Sequence, residues 1–433
     1  MKQCQAFRGR VLHFTDNPQH SGEAAYEYWS DGMLLVADGK IHHAGDWNSL
    51  ASKLPAGTEC IEYPHHLLIP GFVDSHIHYP QTEMIAAYGE QLLDWLQRYT
   101  FPVEMQFADP DHCAAVARWF LDELLRNGTT TAMVFCTVHP TSVDALFQEA
   151  WERRLRLIAG KVLMDRNAPE ALLEDAETGY QSSQQLIERW HGVDRLSYAV
   201  TPRFAPTSSS EQLALAGKLL KQYPGLYLQT HLSENLAELA WVKDLYPDAR
   251  HYLDVYAQAG LLGPRSVFAH GIHLCADEWN RLAETDSVLA HCPSSNLFLG
   301  SGLFDLQQAQ ASGVRLGMGT DVGAGTSFSM LQTLADAYKV QQLQGVGLEP
   351  LQALYMATLG GARALSLDHL IGSFQPGYEA DFTVLDLHAT PLIQQRLEYC
   401  RELKDLLFVL QTLGDDRCVA ATYILGQCLY QRL

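Results

Sequence analysis

The stretch Leu67-Leu68-Ile69-Pro70-Gly71-Phe72-Val73-Asp74-Ser75-His76-Ile77-His78 decides the fold of this chain. Its apolar run reads as a buried strand, and the two histidines stand at the strand's end. Side chains alternate between the faces of a strand, so His76 and His78 point the same way, close enough to share one ion. Seven more strand candidates follow, at residues 130–138, 157–164, 196–202, 226–231, 266–270, 287–291 and 315–320. Helical periodicity separates or follows them at 111–126, 210–222, 235–245, 277–284, 329–343 and 350–357, with Ser210 as a cap of the second. Strands alternating with helices imply a parallel sheet, and eight such units imply an α/β fold of the (β/α)8 barrel type.

The two chain ends have a different character. Short strands with turns occupy 6–14, 31–37 and 60–64, and strand character returns at 380–386 and 419–424, with Gly426 as a hairpin turn. The ends are expected to pair into a small β-sandwich beside the barrel. The expected division is 1–68 and 369–433 for the small β domain and 69–368 for the barrel.

Composition narrows the function. In 433 residues, 47% are hydrophobic and 18% charged, as in an ordinary globular protein with ample core. The formal net charge of −20 argues against a nucleic-acid backbone or an anionic membrane as partner, since both require clustered cations. No stretch is long and apolar enough to span a bilayer, and no apolar signal core follows Met1-Lys2-Gln3-Cys4-Gln5-Ala6, so a cytoplasmic location is expected. The nine Cys include no Cys-x-x-Cys pair. They read as reduced and mostly buried, with Cys136 and Cys275 in apolar strands.

In a parallel barrel the active site collects at the C-terminal ends of the strands. There this sequence places His76 and His78, Arg203, His231, His270, His291 and Asp321. Three imidazoles and a carboxylate suit a divalent metal such as zinc, and iron also fits, so His76, His78, His231 and Asp321 are assigned as ligands. Such a metal makes water a nucleophile at neutral pH. Glu234, three residues past His231, is assigned as general acid/base toward a ring nitrogen, and Asp321 as acceptor of the water's proton. His270 reads as a hydrogen-bond partner of the nucleophile, with a ligand role as the alternative. His291 reads as structural. Gln81 offers an amide to a nucleobase edge, Arg203 a guanidinium to an exocyclic carbonyl, and Phe204 a ring for stacking. Residues 89–104 are a candidate lid, because they follow the first barrel strand and are aromatic-rich.

These motifs resemble the guanine deaminases of the amidohydrolase superfamily. The similarity is carried by residues 70–78 with Pro80-Gln81, by Trp95-Leu96-Gln97-Arg98-Tyr99-Thr100-Phe101-Pro102, by Gly160-Lys161-Val162-Leu163-Met164-Asp165, and by Val200-Thr201-Pro202-Arg203-Phe204 with Gln229-Thr230-His231-Leu232-Ser233-Glu234-Asn235. Gly372-Ser373-Phe374 and residues 377–382 resemble the family's return into its small β domain. The resemblance implies hydrolysis of guanine to xanthine and ammonia with one zinc per chain, and a homodimer. It implies metal binding by His76, His78, His231 and Asp321, proton transfer by Glu234 and Asp321, and substrate contacts from Gln81, Arg203, Phe204, His231, Glu234, His270 and Asp321. The competing readings are a deaminase or chlorohydrolase of a related ring (8-oxoguanine, a triazine), a two-metal cyclic-amide hydrolase, and a non-catalytic scaffold. A two-metal site would want a lysine at the end of the fourth strand, where Thr201-Pro202-Arg203 stands instead. The Cys-ligated zinc deaminase architecture is excluded, because His291-Cys292-Pro293-Ser294-Ser295 lacks the second Cys.

Overall fold

The computed structural model describes residues 4–89 and 91–432. Met1–Gln3, Glu90 and Leu433 lie outside the described residues, so the candidate lid is described apart from Glu90. The eight barrel strands are Phe72–His78, Thr129–Phe135, Arg156–Gly160, Leu196–Pro202, Tyr227–Leu232, Ser266–His270, Val288–His291 and Arg315–Met318, each paired in parallel with the next. Val162–Leu163 adds a short parallel extension beside the fourth strand. First and last strands meet where Asp321 N–H donates to His76 O at 2.9 Å and Ser75 Oγ donates to Met318 O at 2.7 Å. Val73, Met133, Ile158, Ala199, Tyr227, Val267 and Val288, one from each of seven strands, fill the barrel interior. At Gly160 a side chain is impossible, because a Cβ would lie 1.7 Å from Ala199 O.

The chain ends do pair. Seven strands form one continuous sheet in the order Gln427–Gln431, Val419–Ile424, Phe382–Asp386, Glu59–Pro70, Cys4–Phe14, Tyr26–Ala37, Lys40–Asp46. Phe382 and Tyr423 stack with centroids 4.4 Å apart, and Phe7 packs edge-on against both.

Three sequence expectations need correction. The run 67–78 is not one strand. Residues through Pro70 belong to the small sheet, and the chain changes sheet at Gly71, whose N–H donates to Asp381 O at 3.1 Å while Phe72 N–H donates to Gly128 O at 3.0 Å. A Cβ at Gly71 would lie 2.1 Å from Thr130 Oγ1, so only glycine fits the crossing. Cys275 is exposed at a helix start rather than in a strand, and only Cys113, Cys136, Cys292 and Cys418 are buried. The cap of helix Ser210–Gln222 is Ser209, whose side chain accepts from Gln212 N–H. Helices Pro140–Glu152, Ala176–Trp190 and Leu403–Leu413 were not read from periodicity. No helix among the described residues is long and apolar enough to cross a membrane.

A buried ion cluster ties barrel to small sheet. Arg195 donates through Nη2 to Glu379 Oε2 at 2.6 Å and to Asp381, and Arg156 grips Glu379 with two hydrogen bonds. Arg195→Ala leaves Asp381 as an uncompensated buried charge and should cost about 3–5 kcal/mol. Urea unfolding checks this, with a smaller loss expected for Arg195→Lys. Unchanged stability in the alanine variant would remove the cluster from its role.

Candidate metal and catalytic site

Strand alternation decides which side chains reach the barrel mouth. On the fourth strand Ala199 and Thr201 face inward, and Arg203 continues that parity. On the fifth, Tyr227 and Gln229 face inward, and His231 follows. The first strand needs a device. Val73 faces inward, so simple alternation would turn His76 and His78 outward. The pairing with the second strand steps from Asp74↔Ala132 to Ile77↔Val134, which leaves one extra residue in the first strand. This bulge swaps the faces, putting Ile77 in the outer core and both histidines inside. On the sixth strand, Phe268 belongs to the outer core, and His270 turns back to the mouth through a left-handed backbone, φ 72°. On the seventh strand Val288, Ala290 and Cys292 face inward, leaving His291 outward. It stacks on Phe304 at 4.5 Å, away from the metal ligands.

The assigned ligands converge. His76 Nε2 lies 3.1 Å and His78 Nε2 3.2 Å from Asp321 Oδ1, and His78 Nε2 lies 3.3 Å from both His76 Nε2 and His231 Nε2. All four ligand atoms fall within 4.8 Å of one another. Ligands about 2.0–2.1 Å from a tetrahedral ion are separated by roughly 3.3–3.4 Å, so the cluster has the dimensions of one ion's coordination shell. The protonation states agree. Burial, together with the neighbouring His76, holds His231 far below its ordinary pKa, and burial brings His78 down to about 3, so both are neutral. His231 Nδ1 donates to Arg203 O at 2.7 Å, so its Nε2 presents a lone pair to the centre. Burial pushes Asp321 up, but the imidazoles around it prevail and hold it well below the usual carboxylate range. Convergent lone pairs and an anion want a cation between them. Cys292 is also near His270 and Asp321, and burial pushes its thiol well above its ordinary pKa.

Glu234 lies beside the cluster. Ser233, at φ 49°, turns the chain past His231, and Glu234 is buried with Oε1 accepting from Ser301 Oγ at 2.9 Å. Burial, and then the negative Asp321, raise its pKa to about 8 against the Ser301 bond, so it carries a proton at neutral pH. Glu238 supports the turn by accepting from the Glu234 and Asn235 N–H groups at 2.9 and 3.1 Å. His270 Nε2 is 3.4 Å from Glu234 Oε2 and 3.8 Å from Asp321 Oδ2, while its Nδ1 bonds Asn296 Oδ1 at 2.9 Å. That places His270 between the carboxyl groups of Glu234 and Asp321.

These groups open into a recess with about 390 Å³ of empty space, to which Gln81, Arg203, Phe204 and the aliphatic faces of Leu96 and Leu299 contribute. Leu92, Trp95 and Leu96 of the candidate lid also line it. Phe204 packs edge-on against Trp241 at 6.3 Å. Sequence reasoning missed Glu104, which pairs with Arg203, and also Asn296 and Ser301. An acid amid Trp95, Tyr99 and Phe101 was the signal for Glu104, since a buried carboxylate demands a cation. Lys161 is buried beside the barrel wall in an ion pair with Glu174, so it is engaged away from the metal cluster.

Residues 67–429 match the family described as the amidohydrolase family. The chain belongs to that family. It is 54% identical over 431 residues to guanine deaminase of Escherichia coli (strain K12), covering 99% of this chain and 98% of that one. It is 33% identical over 443 residues to the Homo sapiens guanine deaminase, covering 97% and 95%. Among solved structures, the E. coli guanine deaminase superposes with a TM-score of 0.97 at 54% identity, over 99% of this chain and 100% of that one. The guanine deaminase from C. acetobutylicum with bound guanine in the active site superposes with a TM-score of 0.89 at 30% identity, over 99% and 100%.

His231→Ala removes one of the converging nitrogens and should lower the metal retained after dialysis by about tenfold or more. Elemental analysis of the purified variant reads this. Full metal occupancy would contradict the ligand set.

Proposed function

We propose that this chain hydrolyses guanine to xanthine and ammonia. The observation that carries the reading is the recess itself. An imidazole and carboxylate cluster stands on one side with the protonated Glu234 beside it, and the N–H-bearing side chains of Gln81 and Arg203 share the same small space. Similarity to guanine deaminases along nearly the whole chain supports it.

His76, His78, His231 and Asp321 would hold the metal, with zinc favoured by the donor set and by the family resemblance. Zinc, when bound, supplies Lewis acidity and lowers the pKa of water. The chain's own groups then account for the remainder. Water oxygen bonds to the ring carbon that carries the amino group. Asp321 accepts the water's proton, and Glu234 gives its proton to the adjacent ring nitrogen. His270, between the two carboxyl groups, steadies the incoming oxygen. Asp321 would pass the proton it took to the amino nitrogen, the bond from carbon to that nitrogen breaks, ammonia leaves, and the remaining hydroxyl proton goes to the now ionised Glu234 as the new carbonyl forms. Arg203 and Gln81 would hold the ring's carbonyl edge, with Phe204 packed against the ring. The same resemblance supports a homodimer.

The test is ammonia release by purified, zinc-loaded protein from guanine, 8-oxoguanine, adenine, cytosine and a chlorotriazine. Strong preference for guanine, abolished by a chelator, is expected. Preference for another ring would overturn the substrate assignment. Glu234→Gln should retain metal and lose turnover by about 10²-fold or more. Normal turnover in that variant would contradict the proton route.

A further inference from the structure

The recess has a wall whose chemistry is set by a residue outside it. Glu104 is fully buried and lies on the short helix Phe101–Glu104. Both its carboxylate oxygens accept from Arg203 Nη1, at 2.9 and 2.8 Å. Its Oε1 also lies 3.5 Å from Gln81 Nε2, and Phe101 lies under the Arg203 guanidinium at 5.5 Å. Arg203 and Gln81 are themselves 2% exposed, so a long flexible cation and an amide are held in a dry, close-fitting space.

The orientation of Gln81 follows from its neighbours. Gly323 N–H can only donate, and it lies 3.1 Å from Gln81 Oε1, so the amide oxygen is turned to the loop and the NH2 toward Glu104 and the recess. Arg203 has no acceptor at all. With its Nη1 committed to Glu104, it has Nη2 and Nε for other bonds. Carbonyl and carboxylate both face internal donors, so the wall presents N–H groups to the recess. A ring is accepted there by an edge that carries acceptors, such as a lactam oxygen with a neighbouring ring nitrogen. An edge without the oxygen leaves a buried donor unpaired, and that loss is expensive in a dry site.

We infer that Glu104 is a positioning residue for substrate selection: by clamping Arg203, beside a Gln81 amide turned by Gly323, it makes this wall present N–H donors to the recess, and so selects rings bearing a carbonyl on that edge. This rests on the guanine reading above. Glu104 supplies no atom to the recess lining and has no part in the proton route. Its effect therefore belongs to binding and discrimination.

The test compares guanine with 2-aminopurine, which keeps the amino group and lacks the carbonyl, in wild type, Glu104→Gln, Arg203→Ala and the double variant. Glu104→Gln should raise KM for guanine by about tenfold with a smaller change in kcat, and the kcat/KM preference for guanine over 2-aminopurine should fall by a similar factor. Adding Glu104→Gln to Arg203→Ala should cause little further loss of that preference, because one residue acts through the other. The double variant should also be more stable than Arg203→Ala, which leaves Glu104 without its cation. Should Glu104→Gln fail to fold, Glu104→Asp, which keeps the charge but withdraws it by one methylene, should lower the preference in the same direction by a smaller factor. Equal losses for both purines, or losses that multiply in the double variant, would overturn the inference. Absence of guanine turnover in the wild type would instead count against the proposed function.

Discussion

The structure depends on how the barrel closes on itself. Asp74, buried in the first strand, accepts from Thr320 Oγ1 at 2.5 Å, Thr320 N–H at 3.2 Å and His76 N–H at 3.1 Å. Asp321 N–H completes the seam by donating to His76 O. One carboxylate thus joins the strand that carries His76 and His78 to the segment that carries Asp321. The bulge at the same place turns those histidines inward. Remove the seam and the ligand atoms lose their common centre, although each strand could persist. The candidate metal cluster is in this sense a product of barrel closure rather than of any one motif.

Burial then sets the chemistry around the cluster. The same dry environment keeps His78 and His231 neutral, pushes Glu234 up to about 8, and leaves Asp321 anionic because the imidazoles surround it. Two carboxyl groups on either side of His270 are thereby given opposite proton assignments, which is what an acid and a base working on one substrate would require. The neighbouring wall uses burial differently. There Arg203 and Glu104 neutralise one another, and what remains facing the recess is hydrogen-bond geometry.

Much of this could be read in the sequence because barrel strands deliver polar residues to one end. His231 and Arg203 follow directly from parity, and Asp321 from its place just past the eighth strand. His76 and His78 were assigned correctly to one shared face, but the bulge that decides which face has no sequence mark, since an extra residue in a strand looks like any other. His291 stands at a strand end like the ligands do, yet the parity of Val288 and Ala290 sends it outward to Phe304. The sheet change at Gly71 was hidden because Leu67–Pro70 and Phe72–His78 are both apolar, and pairing partners rather than composition separate them. Glu104 was hidden by distance: its partner Arg203 lies 99 residues along the chain. The pairing of the chain ends, by contrast, was legible from the β character returning after the last barrel helices.

The measurement that bears most directly on the central claim is X-ray absorption at the zinc edge of the zinc-loaded protein, with metal content per chain. A single ion is expected, with an imidazole-rich shell of nitrogen and oxygen at about 2.0–2.1 Å. A sulfur shell near 2.3 Å, which would bring in Cys292, or a second metal close to the first would contradict the account.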